Sequence, residues 1–484
     1  MRSILVILIL WTFQSVAQNE IQLLSEELPL DSSAELSIER HTSLRPQIRW
    51  TTTANSKGLI DIGKNENDQP RLLIDPIADV TGKFSDQIGF RAAGGISLTS
   101  NFEKPWFLRV SALGGTFNAD SLFIPRTYFS KSDSASKGSF LDLRARLSFT
   151  PNEIFNFQAG IDHNFIGEGS RSLFLSDYGK PYPFGLIRTK FWRVEYSVLY
   201  QFMHEGDFSN YVSKFGATHH LSINATKWLN FGVFESVIFQ PKDTAMQRGF
   251  EVEYLNPVIF YRPQEYSLGS SDNVVLGASM TIKYKQYSLY GQLVVDEFSL
   301  EEIRKKSGWW ANKYGIQAGI KGKADIGTCK SFFRIEYNFL RPYTFAHVSS
   351  GQNYGNAGLP LAHPYGANMM EILGEFKIQK ANWLVKGFVS YFLYGLDKND
   401  GDSYGGDVYQ PYGLKPYDYG HFTGQGVGNN GIRLILSGAY SPLKKSSISV
   451  FAESHLRYDT HIDKWTFFPI AGIRSRIGND HRNY

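Results

Sequence analysis

The chain has 484 residues, of which 15% are aromatic, with 45 glycines, one cysteine and a formal net charge of +4. A single cysteine, Cys329, excludes a disulfide-stapled exported scaffold. Lys and Arg are interspersed with acids, so no basic block points to nucleic acid. Beyond the N-terminus no apolar run reaches the roughly 18 residues of a membrane helix, which excludes helical membrane spans.

The N-terminus reads "MRSILVILILWTFQSVAQ". One positive charge, a short apolar core and the small residues Ser15 and Ala17 match a secretory signal peptide over residues 1–17. Residues 18–68 mix turn signals with a short helical pattern and are expected to be a periplasmic segment or a plug at a barrel mouth. From about residue 69 to 484 the pattern has period two. Ile372, Gly374, Phe376 and Ile378 alternate with Glu371, Glu375, Lys377 and Gln379. Phe333, Ile335, Tyr337 and Phe339 alternate with Arg334, Glu336 and Asn338, and Ile448, Val450 and Ala452 with Ser449 and Glu453.

A soluble sandwich shows the same alternation, but its strands average about 5–6 residues. Here the segments run near the 9–11 residues of a tilted membrane strand. The connections also alternate in length. Short breaks fall near 150–153, 190, 227–230, 285–287, 380–382 and 441–446, and long ones near 116–139, 163–184, 204–215, 240–272, 340–368 and 395–430. Short periplasmic turns and long outer loops are the signature of an outer-membrane barrel. Roughly seventeen crossings are evident, and an even number is needed to close such a barrel. "RLLIDPIADV", from Arg71 to Val80, supplies the missing rising strand. The expected fold is an all-β, antiparallel, up-and-down transmembrane barrel of about 18 strands with long extracellular loops.

"GIDHNFIGEGSRSLFLSD", residues 160–177, looks at first like a phosphate loop. It lacks a third glycine in register, a following helix and the Gly-Lys-Ser/Thr of a phosphate cradle. It is expected to be a strand top entering an outer loop. Its charges, Glu168, Arg171 and Asp177 among them, are then salt bridges of the barrel interior or ligand contacts. Asp296–Glu297 and Glu301–Glu302 are read as strand-end charges, since neighbours on a strand face opposite sides and do not converge on one substrate. His219–His220 lacks further ligands at useful spacing, and "LDKNDGDSYGGD", Leu396 to Asp407, has calcium-loop composition with its glycine out of register. No nucleophile elbow is present. No catalytic residue, metal ligand or cofactor is expected. The loops 340–368 and 395–430 combine Tyr, His, Asn, Asp and Gly, a composition that suits sugar rings and hydroxyls as well as plain rigid loops.

"NFIGEGSRSLFLSDYGKPYPF", "EYLNPVIFYRPQEYSLGSSDNVVLGAS", "LYGQLVVDEF" and "FRIEYNFLRPYTFAH" together resemble the Wzi-like capsule assembly family, nearest its gliding-motility, RemB-type branch. The resemblance runs from about residue 70 to the end. It implies an outer-membrane barrel that holds exported polysaccharide at the cell surface, or takes part in surface movement, with no catalytic residues. Glycan or lumen contacts are expected at Glu168, Arg171, Asp177, Arg262, Glu265, Asp272, Asn273, Tyr343 and His347. Expected partners are surface polysaccharide, outer-membrane lipid and lipopolysaccharide, the barrel-insertion machinery and other surface or gliding proteins. The alternative is a porin-like channel for small solutes, and a secreted β-rich hydrolase ranks last.

Overall fold

The computed structural model describes residues 41–46, 48, 59–63, 71–85, 88–101, 105–118, 129–134, 137–206, 212–241, 254, 272–398, 401–443 and 448–475. The signal-peptide segment lies outside them. Eighteen antiparallel strands close into one barrel. They are β1 (Arg71–Lys83), β2 (Gly89–Asn101), β3 (Trp106–Asn118), β4 (Lys137–Phe149), β5 (Phe155–Asp162) and β6 (Tyr182–Phe191). Next come β7 (Val194–Glu205), β8 (Val212–Asn224), β9 (Leu229–Phe239), β10 (Asn273–Tyr284), β11 (Tyr287–Glu297) and β12 (Lys313–Ile326). The last six are β13 (Cys329–Leu340), β14 (Met369–Lys380), β15 (Trp383–Leu396), β16 (Val427–Tyr440), β17 (Ile448–Asp459) and β18 (Lys464–Ser475).

The alternation decides which face is which. Ile335, Ile372, Phe376, Val389, Leu434, Leu436 and Val450 are exposed on the outer face. Their neighbours Arg334, Glu336, Glu371, Ser390, Arg433 and Glu453 are buried inside. A soluble sandwich has the opposite polarity, so this outer band needs lipid rather than water around it. Exposed aromatics mark its lower edge beside the short turns: Phe155, Phe191, Trp192, Trp228, Tyr284, Tyr287 and Trp383. Amphipathic rings of this kind sit at a membrane–water boundary.

Several turns on that side have two residues, which forces left-handed backbone. Trp192, Lys285 and Ala381 sit at φ 52°, 52° and 51°, and Gly327 at 61°. Such tight connections fix the register of the hairpins they join.

Closure joins β18 to β1, with Ile470 opposite Lys83 and Arg474 opposite Asp79. Below that seam the edge of β1 is continued by residues Ile60–Ile62, which pair with Ile74, Leu73 and Leu72. A piece of the segment expected to precede the barrel is thus part of its wall. It covers backbone donors and acceptors of β1 that would otherwise form an open edge.

Candidate functional site

The connection 163–181 does not stay outside as the strand–loop pattern implied. It turns back into the lumen, because it carries an apolar run that water would not hold. Leu173, Phe174 and Leu175 are buried against Leu186, Leu199, Phe234 and Val294 of the inner wall. Phe174 stacks on Phe234 at 4.5 Å, and Gly277 leaves the room: a Cβ there would lie 2.3 Å from the Phe174 ring. The first limb of the plug, Phe165–Ile166, pairs with Leu44–Arg45, so the N-terminal segment also enters the barrel. The long loop before β14 clamps from the other side. Tyr354 Oη donates to Phe174 O (2.7 Å), and Ser176 N donates to Leu361 O (2.7 Å).

Wall carboxylates and amines hold the polar limb of the plug. Glu336 accepts from Ser170 N (2.8 Å) and Arg171 N (3.1 Å), and Glu375 accepts from Ser170 Oγ (2.7 Å). Glu371 accepts from Arg171 Nε (3.1 Å) and Nη2 (3.3 Å) and from Ser390 Oγ (2.7 Å), and lies 3.0 Å from His363 Nε2. Lys321 Nζ donates to the Glu168 carboxylate (2.8 Å) and carbonyl (2.9 Å), and Thr42 Oγ1 donates to the same carboxylate. Burial pushes the Glu168 pKa up. The ammonium groups of Lys321 and Lys283 and the bonds from Lys321 and Thr42 outweigh it and hold the carboxyl at about 2. Gly169 is required at the tightest point, where a Cβ would sit 2.3 Å from Glu336 Oε2.

Glu168 and Arg171 therefore pair with wall residues and not with each other. Both are ion pairs of the barrel interior.

His41 reports on the N-terminal limb. Its Nδ1 lies 2.7 Å from Ser222 Oγ, and Asn224 Nδ2 lies 3.2 Å from its Nε2. Burial lowers its pKa to about 4, against the raising effect of Glu195. A base depressed in the folded state contributes stability that is full above its unfolded pKa of 6.5 and is lost as pH falls toward about 4. Lowering the pH from 7 to 4 is expected to cost wild type about 2–3 kcal/mol more than His41→Gln, at roughly 1.4 kcal/mol per pH unit. Denaturant unfolding midpoints at the two pH values measure the difference, and equal losses in both proteins refute it.

Above the plug, the outer loops form an aromatic cap. Trp310 and Tyr412 lie 4.7 Å apart, with Lys313 Nζ 4.2 Å from the Tyr412 ring and Lys415 Nζ 4.5 Å from the Trp310 ring. Tyr343 meets His421 edge-on at 5.2 Å, and Tyr417 stacks on His421 at 4.5 Å. Tyr417, Tyr419, Phe422 and Leu414 are exposed. Trp309 and Trp310 come from the connection 298–312, which carries the short helix Leu300–Arg304 and packs on 418–421 through Trp310 N to Asp418 O (3.0 Å). Sequence reasoning passed over this connection because it was read as strand-end charge. The Gly-Trp-Trp at 308–310 was the available signal.

The expected contact residues fall into separate places. Glu168 and Arg171 brace the plug, and Asp177 lies half-buried on its outer limb. Asp272 accepts from Tyr254 Oη (2.7 Å) and Gln352 Nε2 (3.1 Å), and Asn273 is buried at the start of β10. Tyr343 is buried in the cap and donates to Ser403 O (2.7 Å), and His347 lies beside Tyr412 at 6.0 Å. Arg262 and Glu265 lie outside the described residues. Asp296 and Glu297 do converge, contrary to the alternation argument. A register shift between Val295 and Glu297 brings their carboxylates to 4.0 and 3.1 Å from Lys313 Nζ. Among the described residues no three His, Cys, Asp or Glu side chains gather as metal ligands. Asp397, in the segment with calcium-loop composition, accepts from Tyr404 N (2.6 Å).

No family model and no curated protein sequence matches the chain. Among solved structures it is similar to Wzi of Escherichia coli, an outer membrane protein involved in group 1 capsule assembly and a carbohydrate-binding β-barrel. The TM-score is 0.54 at 13% identity, over 85% of each chain. Weaker similarity extends to OccAB4 of Acinetobacter baumannii (TM-score 0.44, 7% identity, 85% of this chain and 99% of that one). It extends also to a BenF-like porin of Pseudomonas fluorescens Pf-5 (0.45, 8%, 85% and 98%). At such identities the likeness speaks to architecture, and the architecture is that of an 18-strand outer-membrane barrel.

Proposed function

We propose that this chain resides in the outer membrane and binds surface polysaccharide on its extracellular cap, serving capsule assembly or, as in the RemB-type branch, gliding adhesion. The reading is of a binder and not an enzyme. The observation that carries it is the pairing of a braced, filled lumen with an exposed aromatic cap. Exposed Tyr417, Tyr419 and Phe422, with half-buried Trp310 and Tyr412, offer ring faces beside Lys415 and Asp418. Ring faces pack on sugar C–H surfaces, and flanking charges and amides read hydroxyls. The Wzi barrel, similar in fold, is itself carbohydrate-binding. Lipopolysaccharide around the wall and the barrel-insertion machinery are the accompanying partners.

The test is retention of the purified protein on extracellular polysaccharide from its own organism. Trp310→Ala combined with Tyr417→Ala is expected to weaken retention about tenfold, from the loss of about 0.5–1.5 kcal/mol per aromatic contact. Trp310→Phe should recover part of it. Absence of retention on every such glycan sinks the proposal.

A further inference from the structure

On the inner wall of β16 and β17, Arg433 stands directly opposite Arg457, with Ser390 of β15 on the other side of Arg433. Like charges in directly paired positions repel, so this rank is unfavourable as it stands. Arg433 is 5% exposed, and its Nε and Nη1 have no hydrogen-bond partner among the described residues. Its guanidinium lies 4.7 Å from the Phe392 ring and 5.2 Å from that of Tyr365. Ring faces attract the charge but accept no strong hydrogen bond, so those N–H groups stay unsatisfied. Arg457 spends Nη2 on Asp459 (2.6 Å), while its Nε is also unpartnered.

The nearby carboxylates are committed elsewhere. Asp459 serves Arg457, Glu371 serves Arg171, His363 and Ser390, and Glu453 takes Arg474 (2.5 Å), Ser437 (3.2 Å) and His455 (3.2 Å). A buried guanidinium, Arg433, and a partly buried one, Arg457, thus share one carboxylate, and the missing component is a negative charge with several acceptor lone pairs. Such a group suits Arg because the planar, always-charged fork matches an oxyanion and sheds its water readily.

We infer that Arg433 and Arg457 form an oxyanion-binding site on the lumen wall, beneath Tyr365, for a phosphate or carboxylate group. Tyr365 belongs to the connection that precedes β14, and a shift of its ring off Arg433 opens the N–H groups to the ligand. The site is separate from the aromatic cap and does not rest on glycan binding there.

Titration calorimetry on the purified, detergent-folded barrel tests it with sodium phosphate, with glucuronate, and with glucose as the neutral control. Saturable binding of an anion but not of glucose is expected, weakened about tenfold or more in both Arg433→Gln and Arg457→Gln. Phosphate binding tighter than glucuronate assigns a free ion, and the reverse assigns an acidic sugar; either result supports the site. Arg433→Lys keeps the charge and loses the guanidinium, so weakened binding in that variant, with barrel folding verified by heat-modifiable gel migration, also supports it. Failure of both anions to saturate, or undiminished binding in folded Arg433→Gln, overturns it.

Discussion

Glu371→Ala is expected to destabilise the barrel by about 3–5 kcal/mol, because it strands a buried guanidinium without its carboxylate. Glu371 is fully buried and Arg171 nearly so, with side-chain exposures of 0% and 2%. The carboxylate also takes the Ser390 hydroxyl and meets His363, so its loss leaves donors from three elements unpaired. Arg171→Ala leaves the opposite charge buried and should cost a similar amount. The double change Arg171→Met with Glu371→Leu removes both charges and keeps volume, and should recover much of the loss. Denaturant unfolding of the wild type, Arg171→Met, Glu371→Leu and the double change forms a double-mutant cycle. A coupling near zero would mean that the pair does not hold the plug to the wall.

The wall was legible in the sequence because period-two alternation over ten residues is a direct image of a sheet with two unlike environments. Arg71–Val80 was found by parity alone, and it is the first 10 residues of the 13-residue β1. The interior of the connections was not legible. Residues 163–181 carry both a charge cluster and an apolar run, and only the wall decides that they fold inward. Glu336, Glu371 and Lys321, which hold them, are 153–200 positions away in the chain. The bulge before Glu297 escaped for a related reason: one extra residue reverses the facing that alternation assigns. The aromatic cap was half legible. Its Tyr and His residues in 340–368 and 395–430 were singled out, while Trp309 and Trp310 in 298–312 were not.

Replacing residues 167–176 by a short Gly/Ser linker is expected to convert a near-silent protein into a steadily conducting one in planar bilayers. An 18-strand barrel encloses an aqueous channel unless protein fills it. Here that filling includes Leu173, Phe174 and Leu175, which pack on the inner wall, and Arg171, which bonds to it. Removing them leaves Glu336, Glu371 and Glu375 facing the lumen with Lys321 and Arg334. Arg334 already takes Glu375 at 2.9 Å, so the freed groups are Glu336, Glu371 and Lys321. The opened pore should therefore prefer cations modestly, and the preference should fade at high salt, where the Debye length falls to about 3 Å. The strands do not depend on the plug for their own hydrogen bonds, since each pairs with both neighbours along the wall. The deletion should consequently still fold, and without the penalty expected of Glu371→Ala in the intact chain, because water enters to solvate the charges. Steady conductance of the unaltered protein, equal to that of the deletion, would instead establish the porin-like alternative and reduce the plug to a constriction.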